Sequence, residues 1–371
     1  MLDISLLFQE VEDPRRSNAT RHDLHEMLTI ALLSTLSGGE GCVDMELFGR
    51  AKEPFLRRFL RLEHGIPSHD AFSNLFRALD PAGLEKAMAR LARGWAARLG
   101  GDVVAVDGKA LRRSFEDAAS RSPLHLVQAF STQAKLVLAQ VEVDGKSNEI
   151  PALPRLLELL DVKGRLVTAD AMHAQRDAAA AVTAKGGDYV LALKGNQETL
   201  HDDVRLYLDA PPKDAEVLSH QEVDKGHGRV ETRTASVCHD VGWLRDRHGW
   251  PGLAAVGKVA ATRWTKRGGE TAETRHYLLS APLSAADFGR AVRSHWAIEN
   301  SLHWVLDVTL NEDAQRNRTG HGARNLAALR RLALNVARAQ PDKGSMRGKI
   351  KRAGWDDDFL LDMVRAAQQV K

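Results

Sequence analysis

Cysteine is scarce in this chain, and long apolar runs are missing. Two cysteines occur in 371 residues, Cys42 and Cys238. They stand too far apart to make a disulfide framework, and neither has the partner spacing of a zinc motif. Two ordinary thiols in a reducing cytosol are the expectation. No run of about 18 apolar residues occurs, which argues against a membrane-spanning helix. The opening residues, MLDISLLFQEVEDPRR, are too acidic and too short in apolar length for a secretory signal. No internal repeat or low-complexity tract stands out.

What is present is enough to bury a core. Hydrophobic residues make up 43% and charged residues 27%, ordinary values for a soluble protein. The length allows two or three domains. A net charge of +3 argues little, but its distribution argues more. Between Ala314 and Arg352, eleven Lys and Arg stand against one acid, Asp342, so the rest of the chain is net negative. A basic block of this kind attracts polyanions, nucleic acid first. The alternative is a solvated helix face with a flexible tail.

Residues 1–99 read as a helical domain. Leu24, Met27, Leu28, Ala31 and Leu32 repeat at helical spacing up to Gly38-Gly39. Similar patterns cover 51–62 and 68–79, the second with Ser68 as N-cap. Asp80-Pro81 opens a further helix that Gly100-Gly101 should end. The pattern then changes. Val103-Val104-Ala105-Val106 reads as a buried strand with Asp107 at its end, and 125–131 and 135–143 read as two more strands. A helix at 150–160, a strand at 165–168 ending at Asp170, an Ala-rich helix at 171–185 and a strand at 189–193 follow. Mixed elements with short connections imply a layered α/β domain over residues 100–371. A mostly β insertion is expected over about 201–283, with strands near 229–237, 253–263 and 274–280. Ser284 and Asp287 have capping-box form, so a long helix should run from there through Glu299 and His303. Leu326, Leu329, Leu332, Ala333 and Val336 mark a last strong helix inside a basic, helical C-terminal segment, 314–371.

Asp107 and Asp170 each follow an apolar strand. Open α/β sheets bind ligands beyond strand ends. Carboxylates placed there can converge on magnesium, which takes a few carboxylates together with water and phosphate oxygens. Two such ions suit in-line phosphoryl displacement. Glu299 on the long helix is the third carboxylate on offer. Taken alone, each Asp is more often a turn or cap residue.

Several ordered strings supply the context: AVDGKALRRS, LVTADAMHAQ, YVLALKGNQETL, DKGHGRVETR and RSHWAIENSLHWVLDVTLNEDAQR. They resemble insertion-sequence transposases of the ISAs group, the H-repeat-associated proteins. FGRAKEPFLRRFL and GIPSHDAFSNLFRALDP resemble that family's helical associated domain, so the likeness runs from about residue 8 to about residue 340. The resemblance implies a ribonuclease-H-like core with a DDE triad. By motif the triad maps to Asp107 in VDGK, Asp170 in TADAMH and Glu299 in HWAIENSLHW. It implies Mg2+ or Mn2+, as two ions, bound by these three residues. The implied partner is double-stranded DNA, as element ends and target, with a homodimer acting on paired ends. The implied setting is the nucleoid. The wider superfamily places its Glu within a Tyr-Arg-Glu-Lys signature. The corresponding positions here are Val292, His295 and Leu306, with Arg293 and Asp307 beside them. That departure makes Asp307, Glu312 and Asp313 rivals for the third acid.

Cations near these motifs are candidates for holding DNA phosphates, contacts that position DNA without reading its sequence. They are Lys109, Arg112, Arg113, Lys194, Arg293, Arg316, Arg318 and Arg324. For Lys109, Arg112 and Arg113 a solvated basic turn is the alternative. Trp296 and Trp304 are expected in a core, with base stacking as the other reading. His295 and His303 read as structural, and His173 as a neighbour of the Asp170 site. The activity implied is strand cleavage followed by strand transfer. The rivals are a nuclease of the same fold and a transposase-derived DNA-binding protein without catalysis.

Overall fold

Helical spacing, caps and glycine stops at the start of the chain produce five helices: α1 (Leu24–Leu36), α2 (Cys42–Ala51), α3 (Glu53–Leu56), α4 (His69–Ala78) and α5 (Pro81–Ala96). The structure is a computed structural model that describes residues 7–16, 20–96, 103–114, 123–143, 150–226, 228–265 and 268–368. The expected stop at Gly100-Gly101 and the loop residue His227 lie outside these residues. Asp23 caps α1 by accepting from the Glu26 amide at 2.9 Å. Ser68 caps α4 through the Ala71 amide at 3.3 Å, as the sequence implied.

Strands and helices then alternate. β1 (Val103–Leu111), β2 (Leu124–Ser131) and β3 (Leu136–Val143) precede α6 (Ala152–Glu158), β4 (Leu166–Ala169), α7 (Arg176–Ala184) and β5 (Asp188–Leu193). This is the expected order, in a mixed α/β fold. The Ala-rich helix begins later than its composition suggests. Asp170 caps a separate 3-10 turn, Ala171–His173, and α7 starts only at Arg176. Next come α8 (Glu198–Asp209), β6 (Val217–Gly226), β7 (Arg229–Cys238), α9 (Gly242–His248), β8 (Ala255–Thr265), β9 (Gly269–Leu279) and α10 (Ala285–His295). A π turn, Glu299–His303, leads to α11 (Trp304–Val308). The chain ends with α12 (Gly322–Ala339), α13 (Met346–Trp355) and α14 (Asp357–Gln368).

Two units result. The first holds residues 1–99, 108–148 and 299–371. Its centre is α12, which packs on α1, α4, α5, β3, α13 and α14. An apolar stripe on one face would leave the other face in water. Instead α12 is buried nearly all round, including Asn325, Arg330, Arg331 and Asn335. Buried amides need partners. Asn325 donates to the Phe76 and Leu79 carbonyls, each at 2.8 Å. Asn335 accepts from the Val137 amide at 2.9 Å and donates to its carbonyl at 2.8 Å, which joins α12 to β3. The basic block is therefore only partly a surface feature. Arg330, Arg331 and Lys349 are buried, whereas Arg316, Lys343, Arg347, Lys351 and Arg352 are exposed.

The second unit holds residues 100–107 and 149–298. Its strands run in the order β1-β4-β5-β9-β8-β7-β6. β1, β4 and β5 are mutually parallel, and β9 adds antiparallel to β5. The expected β insertion thus extends this sheet, with α8 and α9 accompanying it. Its first strand, β6, pairs with β7 along all its length. The sequence pattern misses β6 because most of its residues are exposed and polar. Phe288 of α10 anchors the core here with Val190, Val237, Ala255, Tyr277 and Leu279. Gly257 makes room for it, since a Cβ there would fall 2.7 Å from the Phe288 ring. Among the described residues no helix is long and apolar enough to cross a membrane.

Candidate active site

The β1–β4 pairing fixes two of the three acids. Val103 to Val106 lie opposite Leu166 to Ala169 in parallel register. Asp107 and Asp170 are the residues that directly follow the last pair of this register, Val106 and Ala169. One detail differs from the sequence expectation. Asp107 does not end its strand, because β1 continues through Gly108 and Lys109 to Leu111. Asp170 does follow the last residue of β4, and its carboxylate accepts from the Met172 amide at 3.1 Å. That bond fixes the carboxylate as the cap of the 3-10 turn.

The KGNQ motif braces this turn. Asn196 donates to the Ala171 carbonyl at 2.6 Å, and Gln197 donates to the Ala174 carbonyl at 3.2 Å and to the Gln175 side chain at 3.2 Å. His173 is buried within the turn. Thr168, two residues before Asp170, shares a hydrogen bond of 3.0 Å with His295 Nδ1, joining β4 to α10. His295 stands where the wider signature has Arg.

Glu299 opens the π turn. The expected unbroken helix is not formed, because α10 ends at His295 and five residues of π geometry replace α geometry from Glu299 to His303. Turns of this type are rare and recur at functional sites. The Glu299 side chain is 51% exposed and lies 3.4 Å from the nearly buried Nδ1 of His303. Arg338 of α12 donates to the Ser301 carbonyl in the middle of the turn. Its guanidinium lies 5.3 Å from the Phe130 ring centroid, and burial lowers its pKa to about 9.

The three rival acids are all engaged by cations. Both oxygens of Asp307 accept from Lys109 Nζ at 2.7 Å. Asp313 lies 3.8 Å from the same ammonium and 3.4 Å from Arg112. Glu312 is fully buried against Arg331 at 2.6 Å. Burial favours its neutral form, but the charge and hydrogen bonds of Arg331 outweigh that and hold its pKa below the ordinary value. Each rival carboxylate thus lies beside a cation.

The candidate DNA-binding cations divide in the same way. Lys109 is buried in its ion pairs, and Arg324 is held by Glu85 at 2.8 Å and Glu142 at 2.9 Å. Arg293 is exposed but paired with Asp224 at 2.6 Å. Arg318 donates to the Arg113 carbonyl at 3.0 Å. Arg112, Arg113, Lys194 and Arg316 present exposed side chains. The two tryptophans depart from the core expectation. Trp304 is 57% exposed, and Trp296 is 44% exposed with Arg275 over its ring at 4.9 Å. Sequence reasoning missed Arg338 altogether. Its only signal was a cation within a helix whose apolar pattern nearly closes on itself.

Comparison with known proteins bears on this arrangement. Residues 98–336 match the family described as "Transposase DDE domain", and residues 6–92 match the one described as "DDE_Tnp_1-associated". The chain is 35% identical to "H repeat-associated putative transposase YhhI" of Escherichia coli (strain K12), over 95% of each chain. It is 32% identical to "Putative transposase YncI" of Escherichia coli O157:H7, over 97% of this chain and 94% of that one. A solved piggyBac transposase synaptic complex with hairpin DNA is 11% identical, with a TM-score of 0.42 over 99% of this chain and 77% of that one.

Proposed function

The chain belongs to the DDE-domain transposases, and from that premise we propose that Asp107, Asp170 and Glu299 are the carboxylates with which it cuts and rejoins DNA. The observation that carries this reading is the β1–β4 register, in which Asp107 and Asp170 each directly follow the last paired residues, Val106 and Ala169, of two parallel strands. The half-exposed Glu299 on a π turn supports its place as the third. All three offer hard oxygen donors, a set that fits Mg2+ or Mn2+. Two such ions, when bound, supply the positive charge that in-line displacement at phosphorus requires.

The protein's own part is to hold and orient. Asp107 is held by the ladder of β1, and Asp170 by its cap bond and by the Asn196 and Gln197 braces behind it. Glu299 completes the ligand set and aligns the attacking oxygen. In the first reaction water displaces one side of a phosphodiester at an element end and leaves a 3′-hydroxyl. In the second that hydroxyl displaces a strand of the target DNA. The exposed Arg112, Arg113, Lys194 and Arg316 are suited to phosphate contacts. The helical N-terminal region and the exposed cations beyond residue 314 extend the DNA-binding surface. Two element ends call for two copies of the chain, so a homodimer on DNA is part of this reading, as is residence at the nucleoid. The parallel strands β1, β4 and β5, with β9 added antiparallel at their edge, support a ribonuclease-H-like core.

The test is strand cleavage on an end-bearing duplex. Asp107→Ala and Asp170→Ala should abolish cleavage in Mg2+ and Mn2+ while DNA binding and melting temperature persist. Undiminished cleavage by either variant would refute the assignment. Joining of a pre-cleaved end to target DNA by the unaltered protein separates a transposase from a nuclease that only cuts.

A further inference from the structure

The run from Glu299 to Val308 is pinned at two points within the first unit. Arg338 reaches the Ser301 carbonyl inside the π turn. Lys109 reaches Asp307 in α11. A π turn is an unfavourable local geometry that persists where its surroundings hold it. Arg338 supplies a donor to a carbonyl in the middle of this turn. Lys109 supplies a charge lock one helical turn beyond it.

Lys109 is well suited to locking. Its side chain is 8% exposed, and both Asp307 oxygens sit 2.7 Å from the ammonium. A surface pair would contribute little, whereas removing one partner of a desolvated pair leaves a charge that the interior cannot solvate. The placement in sequence gives the lock its meaning. Lys109 stands two residues beyond Asp107 on β1, and Asp307 stands eight beyond Glu299 in the same helical run. Within the first unit this ion pair ties Lys109 to the helical run that begins at Glu299.

We propose that Lys109 is a positioning residue for Glu299: by gripping Asp307 it fixes α11 and, together with Arg338, holds the π turn in the form that aims the Glu299 carboxylate. The proposal rests on the assignment of Glu299 as the third carboxylate. It gives Lys109 an internal duty in place of a DNA contact, and gives Asp307 the duty of a counter-ion.

Four variants of the full chain test it: Lys109→Met, Asp307→Asn, the reversed pair Lys109→Asp with Asp307→Lys, and Glu299→Gln. Melting temperature and duplex binding report the fold. Hydrogen exchange of residues 299–308 in metal-free protein reports the lock directly. Amides there should exchange about tenfold faster in Lys109→Met and Asp307→Asn. Maximal cleavage should fall by roughly ten- to a hundredfold, with a higher half-saturating Mg2+ concentration and unchanged duplex affinity. The reversed pair should recover protection and rate relative to either single change. Asp307→Asn keeps Asp313 near the ammonium at 3.8 Å, so it carries the test if Lys109→Met does not fold. Unchanged exchange and unchanged metal requirement in a folded single variant would overturn the proposal, as would a reversed pair no better than the singles. Full cleavage by Glu299→Gln would instead overturn the assignment beneath it, and the exchange data would still judge the lock.

Discussion

Glu312→Gln should be among the most destabilising single substitutions in this protein. Glu312 and Arg331 are both fully buried, 2.6 Å apart, and Arg331 also donates to Gln128 at 3.1 Å and to the Ala327 carbonyl at 2.9 Å. At that separation and an effective dielectric of about 20, the gross attraction is roughly 6 kcal/mol. Taking both ions out of water costs several kcal/mol each, so the intact pair is worth little net. A lone survivor is another matter. Glu312→Gln leaves the Arg331 charge buried without its counter-ion, at a cost of roughly 3–5 kcal/mol. For a body of this size that lowers the melting transition by roughly 10 °C. Replacing both partners with apolar residues of similar volume should cost far less than either single change. The pH dependence adds a second check. The folded pKa of Glu312 lies below the ordinary value of 4.5. Its stabilisation is therefore fully present above that value and is lost as pH falls through the lower folded one. The variant should lose that part of the acid sensitivity. Urea titrations followed by tryptophan fluorescence, carried from pH 7 to well below the ordinary carboxyl value of 4.5, measure both effects. A cost below about 1 kcal/mol, or a stability difference that does not shrink on acidification, would refute the reasoning.

Trp304→Ala should shift stability by no more than about 0.5 kcal/mol, because a large exposed side chain makes little core contact; thermal melting decides it. Gly320→Ala should cost roughly 1–3 kcal/mol, since φ is +57° and a Cβ would sit 2.5 Å from the Arg77 carbonyl oxygen; a urea midpoint equal to wild type would refute this. Asn196→Ala removes the donor to the Ala171 carbonyl and should slow cleavage by roughly tenfold or more while duplex affinity holds. Single-turnover rates beside a binding isotherm check that split.

Much of the element order was legible because local rules and tertiary needs agreed. Ser68 caps a helix, and the run Val103–Val106 forms a strand, for reasons contained in a few neighbouring residues. Asp107 and Asp170 stood out because acids after apolar runs are conspicuous, and the register puts each directly after a paired strand residue, Val106 and Ala169. β6 escaped notice because an exposed strand needs no apolar alternation. The break in the helix before Glu299 left no trace in composition, since its turn is held by Arg338, 37 residues further on. The basic block misled as a surface feature for a similar reason. Charge counts cannot show that Arg330 and Arg331 turn inward, because their partners, the Glu40 carbonyl and the Glu312 carboxylate, lie outside the helix. Lys109 stood out as a candidate phosphate contact and Asp307 as a rival third acid, and neither reading could show that the two pair with each other across 198 residues.

The packing of α12 against α1 also sets an order of events during synthesis. α1 is buried on nearly every side, and part of that cover is α12, some 300 residues later in the chain. At about 5–20 residues per second, α1 waits roughly 15–60 s on the ribosome for its partner. A chain that stops short of Gly322 would expose the apolar surface of α1 and α5 that α12 covers. Truncated products should therefore aggregate or be degraded, and only chains translated beyond residue 339 would fold completely.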